Sequence, residues 1–231
     1  SLNCNGFKPT FCVYRTTIKK DIETITDATK VLRGMGISCR STDLIIDGGN
    51  MVPCGPYIVM TDKVYSENRK KKDDVDFKAL LESELGHPVI IIPWTPHEDD
   101  VYGHSDGFIK WCGDNRILMG NHGDCYPEES ASICRILESY GFEVTEMRFK
   151  GKVDKPCYDL NWAYINFLQV GKNIIMPIFD IPEDEIAQQY IQTAFPDCNI
   201  RQIEMKEIAK EGGALHCLSW NVYLPKSHVK T

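Results

Sequence analysis

No two cysteines of this 231-residue sequence form a Cys-x-x-Cys pair; the ten fall singly at positions 4, 12, 39, 54, 112, 125, 134, 157, 198 and 217. That scatter argues against a structural zinc site, which takes its ligands in close pairs. A chain of this length buries a full core and needs no disulfide framework. The cysteines therefore read as small buried hydrophobes in a reducing compartment. Basic charge is also scarce, with 26 Lys and Arg against 33 Asp and Glu and a net charge of −7. Without surplus cations to neutralise phosphates, nucleic acid is excluded as a main partner. The sequence has no apolar run long enough to cross a membrane and no signal-peptide pattern. A cytoplasmic location is the expectation, limited to the residues given, since the chain opens at Ser1-Leu2-Asn3-Cys4. No Pro/Ser/Gly-rich linker interrupts it, so one domain over residues 1–231 is expected.

What is present is ordinary globular composition, 42% hydrophobic and 26% charged. Apolar residues at helical spacing predict helices over about 21–34, 73–86, 127–141 and 182–195. The third and fourth open with Pro-Glu-Glu and Pro-Glu-Asp-Glu, and Gly34, Gly86 and Gly141 are plausible stops. The basic run Arg69-Lys70-Lys71-Lys72, followed at once by Asp73-Asp74, reads as a solvated loop before the second helix. Short runs rich in Val, Ile and aromatics predict strands at 10–15, 41–46, 57–61, 89–93, 108–112, 115–119, 143–147, 164–170, 173–178, 199–205 and 214–222. Strand–strand–helix–strand recurs at a period of roughly fifty residues, the mark of an internal repeat. The fold class expected is α/β.

Three segments carry chemistry-bearing side chains: Ile45-Ile46-Asp47-Gly48-Gly49-Asn50, Gly103-His104-Ser105-Asp106-Gly107 and Gly212-Gly213-Ala214-Leu215-His216-Cys217. Each has a structural reading. Cys217 in an apolar strand is a core residue, Asp47 before two glycines is a turn former, and His104 with Asp106 is a buried structural pair. The chemical reading is that a thiol nucleophile needs a proton carrier and an acid to fix a cationic substrate, and these segments supply all of them. Period two along a strand puts His104 and Asp106 on one face and turns His216 away from Cys217, so His216 reads as structural. His122 and Cys125, beside Asp124, lack further ligands at a telling distance for a metal. Trp94, Trp111 and Trp162 are candidates both for core packing and for walling a cation pocket.

Together with Asn161-Trp-Ala-Tyr-Ile-Asn-Phe167 and Ile174-Ile-Met-Pro177, the segments Leu44–Asn50, Gly103–Gly107 and Gly212–Cys217 resemble the guanidine-modifying enzymes of the pentein superfamily. The agmatine deiminase and bacterial peptidylarginine deiminase-like branch is the most similar. The resemblance runs from about Pro9 to Leu224 and implies a pentein α/β-propeller of ββαβ units, incomplete or shortened at the N-terminus. It implies Cys217 as nucleophile, His104 as general acid and then base, Asp106 as a clamp on the guanidinium, and Asp47 as the residue that orients His104 and shares in substrate binding. The product would be a ureido compound and ammonia. The substrate would be a small guanidine such as agmatine or arginine, or a peptidyl arginine. No cofactor and no metal are implied, because the substrate supplies the positive charge, and a homodimer is expected from similar enzymes. One departure stands out: the family places an aspartate just before a Pro-Thr-Phe-like strand, where this chain offers Asn5 and Gly6. An amidinotransferase of the same superfamily and a non-catalytic pentein scaffold are the competing outcomes.

Overall fold

The computed structural model describes residues 10–11, 28–36, 40–96 and 102–219. A short parallel pair, β1 (Thr10–Phe11) and β2 (Arg40–Ser41), flanks α1 (Ala28–Gly34). Three full ββαβ units follow. In the first, β3 (Val52–Cys54) runs antiparallel to β4 (Tyr57–Thr61), the chain passes through α2 (Lys63–Glu67) and α3 (Val75–Leu85), and β5 (Val89–Ile92) returns parallel to β4. The second repeats this with β6 (Ile109–Trp111), β7 (Arg116–Met119), α4 (His122–Cys125), α5 (Pro127–Ser139) and β8 (Glu143–Glu146). In the third, α6 (Tyr158–Asn161) precedes β9 (Leu168–Val170), β10 (Asn173–Ile178), α7 (Glu183–Ala194), β11 (Asn199–Glu204) and α8 (Lys206–Ala209).

Local chemistry explains the unit. Two-residue turns join β3 to β4 and β9 to β10, with Gly55 at φ 60° and Gly171 at φ 59° in the first turn position, where a side chain would be strained. Asp74 caps α3 by accepting the Phe77 N–H at 2.9 Å, and Gly86 ends the helix at φ 70°. The acidic first turns of α5 and α7 face the positive end of the helix dipole.

The inner strands are apolar on both faces, and alternation divides their side chains between two cores. Ile58 and Met60 of β4 pack with Phe77 and Leu81 of α3, while Val59 packs toward Ile109 and Ile133 of the next unit. In β7, Ile117 and Met119 join that same second core, and Leu118 enters a third with Phe149, Tyr164 and Phe179. The first two sheets are thus sandwiched between their own helices and the following unit.

Several expected boundaries shift. The strand expected at 164–170 begins only at Leu168, because Trp162–Asn166 forms a 3-10 turn whose residues are buried almost throughout. The strand expected at 41–46 is confined to Arg40–Ser41. Residues 215–218 form a turn where a strand was expected over 214–222; residues 220–222 lie outside the description, as do the proposed starts of the first helix and the rest of the strand at 10–15. β3 was not anticipated. Replacing Asp74 with Ala should lower unfolding stability by about 1 kcal/mol through the lost cap, read from the urea midpoint at unchanged slope.

Candidate active site

The first and second units meet through two turns. Extended chain ends at Asp47, and Gly48–Asn50 makes a 3-10 turn; after His104, Ser105–Gly107 makes another. Asn50 is fully buried and binds both segments, its Oδ1 accepting from Thr61 N at 2.7 Å and Ser105 N at 3.3 Å. Thr61 donates its hydroxyl to Gly103 O at 2.7 Å, and Ser105 donates to Val59 O at 3.1 Å. The turns lie so close that a Cβ on Gly49 would stand 2.6 Å from His104 Nδ1 and 3.0 Å from Asp106 Oδ1. Only glycine fits there.

His104 Nε2 stands 2.8 Å from Asp47 Oδ2. An ionised carboxylate can only accept, so Nε2 carries the hydrogen and Nδ1 is the nitrogen that gains or loses a proton. Lys63 Nζ reaches the same Asp47 oxygen at 3.1 Å and Glu67 Oε1 at 2.9 Å. Burial works to raise the Asp47 carboxyl, but the His104 hydrogen bond and the Lys63 charge outweigh it, and the net shift is downward. Burial likewise opposes the Lys63 charge and is outweighed by Glu67 and Asp47, while the Glu67 carboxyl is raised, chiefly by burial. Asp47 is thereby held as an anion beside His104.

Cys217 comes from the other end of the chain. Asn166 holds its loop: Oδ1 accepts from Ala214 N and Cys217 N, each at 3.1 Å, and the Asn166 carbonyl accepts from His216 N at 2.9 Å. Gly213 leaves room for the nucleophile candidate, since a Cβ there would stand 3.1 Å from Cys217 Cβ. Cys217 opens to solvent on one side. Surrounding protein nonetheless pushes its thiol up, as does the Asp106 carboxylate, with partial relief from Asn166 and the Lys110 charge. Lys110 itself is lowered to about 8 by burial, against the pull of Asp106.

His104, Asp106 and Cys217 all border one cavity of about 490 Å³, whose farther walls include Phe108, Tyr126, Tyr158 and Trp162. The expected pairing of His104 with Asp106 on one wall is present, but a 3-10 turn produces it in place of strand alternation. His216 departs from expectation: because 215–218 is a turn, its Nδ1 reaches Asp106 Oδ2 at 2.7 Å. Of the tryptophans, Trp162 lines the cavity, Trp94 packs beneath Gly103, and Trp111 donates to Asp114 O at 3.0 Å. The Asp124 carboxylate accepts from the Phe149 and Lys150 N–H groups and stands 3.6 Å from Arg148 Nη1. Asn5 and Gly6 lie outside the described residues. Sequence reasoning did not single out Lys63; Asn50 and Asn166 lay in segments it quoted but were given no role, and His216 was read as structural.

Two outcomes follow. Gly49→Ala should displace His104 and Asp106 and abolish chemistry at the site while the circular dichroism spectrum is retained. In ligand-free protein, alkylation of Cys217 by iodoacetamide, followed by peptide mass spectrometry, should still be rising as pH passes 9.0, because the raised thiol forms its thiolate only above that ordinary value.

Comparison with known proteins gives the site a lineage. An agmatine deiminase from Ectopseudomonas mendocina is 25% identical, over 78% of this chain and 57% of its own length. One from Pseudomonas savastanoi pv. phaseolicola is 27% identical, over 76% of this chain and 56% of its own length. The chain therefore spans little more than half the length of these curated relatives. Among solved structures, a C. jejuni agmatine deiminase superposes with a TM-score of 0.70 at 18% identity, covering 90% of this chain and 64% of that one. An agmatine deiminase of Enterococcus faecalis gives 0.66 at 18% identity, covering 81% and 60%. These likenesses establish the pentein α/β-propeller fold. A family model described as Porphyromonas-type peptidyl-arginine deiminase matches residues 9–222, and the chain belongs to that family.

Proposed function

We propose that this site deiminates a guanidine compound by cysteine-dependent hydrolysis, releasing ammonia and leaving a ureido product. The observation that carries this reading is the convergence of Cys217, the His104–Asp47 pair and Asp106 on one cavity. A guanidinium is planar, delocalised and strongly basic, so its central carbon resists attack. Asp106 fixes the cation, and Asp47 adds negative charge behind His104 and shares in holding the substrate. Bound there, the cation offsets the Asp106 charge that, after burial, keeps the thiol protonated, so the thiolate forms when there is something to attack.

The thiolate adds to the guanidinium carbon, and His104 donates its proton to the departing nitrogen as ammonia leaves. The product of that step is a thiouronium on Cys217. His104, now neutral, takes a proton from water as its oxygen attacks the same carbon. The C–S bond breaks, the hydroxyl proton of the collapsing intermediate passes to solvent and on to the released ammonia, the ureido product departs, and the thiolate and cationic imidazole are restored. The balance is one guanidinium and one water consumed, one ureido compound and one ammonium released. Agmatine is the first substrate to try, since the relatives reported above are named agmatine deiminases; arginine and peptidyl arginine are the others. The proposal takes residues 1–231 as one catalytic domain, cytoplasmic and forming a homodimer.

Incubating the protein with agmatine or arginine should yield equimolar ureido product and ammonia without an amine acceptor. Product only when glycine is added as acceptor would mark an amidinotransferase instead. Cys217→Ala should abolish the yield with an unchanged urea midpoint, and His104→Ala should lower kcat by about 10²–10⁴. Activity that survives Cys217→Ala would remove the mechanism.

A further inference from the structure

Asn166 ends the 3-10 turn Trp162–Asn166, is 1% exposed, and borders the cavity. Two backbone N–H groups, from Ala214 and Cys217, converge on one of its side-chain atoms at 3.1 Å. That convergence settles the amide's orientation, because only an oxygen can accept from both. The other end is therefore the NH₂ group, and Nδ2 has no hydrogen-bond partner among the described residues. Native folds leave few buried donors unpaired, so an unpaired one beside a reactive group asks for a function. The loop that Asn166 ties down brings Cys217 to the same cavity wall, and a thiolate is an acceptor that a resting thiol is only weakly.

We propose that Asn166 works on the nucleophile with both ends of its amide: Oδ1 fixes the Cys217 loop, and Nδ2–H donates to the Cys217 sulfur once it is a thiolate. A donor of this kind stabilises the charged sulfur and holds its direction toward the cavity. Only the catalytic consequence rests on the proposed deiminase reading; the contact itself is present or absent in ligand-free protein.

The test uses the full chain without substrate. In ¹H–¹⁵N spectra the Asn166 side-chain NH₂ pair, identified by its absence in Asn166→Asp, should shift with pH along the same curve as Cys217 alkylation, and should stop shifting in Cys217→Ala. Asn166→Asp keeps an oxygen for the Ala214 and Cys217 N–H groups but removes the donor. It should keep their hydrogen-exchange protection while slowing Cys217 alkylation at fixed pH by about tenfold or more. An NH₂ pair that ignores the Cys217 titration would overturn the proposal, as would an Asn166→Asp protein that alkylates at the wild-type rate. Failure of the deiminase reading would look different: no ureido product from a protein whose Asn166 resonance still follows Cys217.

Discussion

The closeness of the Asp47–Asn50 and His104–Gly107 turns governs the whole site. They come from different ββαβ units. Asn50 joins them from inside, accepting from Thr61 on β4 and from Ser105 in the second turn. The gap between them is narrower than one methyl group at Gly49. From that contact follows the short path from Lys63 through Asp47 to His104, and with it the anionic state of Asp47 beside an imidazole. Burial alone would have pushed that carboxyl toward the neutral form; the His104 hydrogen bond and the Lys63 charge reverse the sign.

The propeller makes such a seam natural. Because β4 and β7 send alternate side chains into two cores, successive units are locked face to face, and loops at one end of neighbouring sheets are brought within reach. The functional groups are carried by those loops and turns, not by the ladders: Asp47, His104, Asp106, Asn166 and Cys217 all lie outside the strands. A rigid scaffold with chemistry at its connections is a general solution for positioning reactive groups.

The main helices were legible because their apolar residues repeat at helical spacing and their ends carry marks such as Pro127 and Gly86. The inner strands were legible as β-branched runs. β3 was not, since Val52-Pro53-Cys54 is too short to show a pattern and contains a proline. Trp162–Asn166 misled for another reason: an apolar run buried on all sides has no period to distinguish turn from strand. At the site, Asp47, His104, Asp106 and Cys217 could be named through family resemblance. Lys63, Asn50 and His216 could not, because their importance is a matter of which atom each one meets across the fold. His216 lies 110 residues from its carboxylate partner, and the mistaken strand assignment turned it the wrong way.

The loop bearing Cys217 has a further consequence. Its attachments are the Asn166 side chain and carbonyl, the His216–Asp106 contact and buried Ala214, with no ladder on either side among the described residues. Such an attachment can loosen while the three sheets stay intact, so its opening free energy is set locally, below that of the cores. Gentle warming or dilute denaturant would then silence the sulfur well before helix and sheet signals change. Loss of chemistry and loss of architecture become separate events.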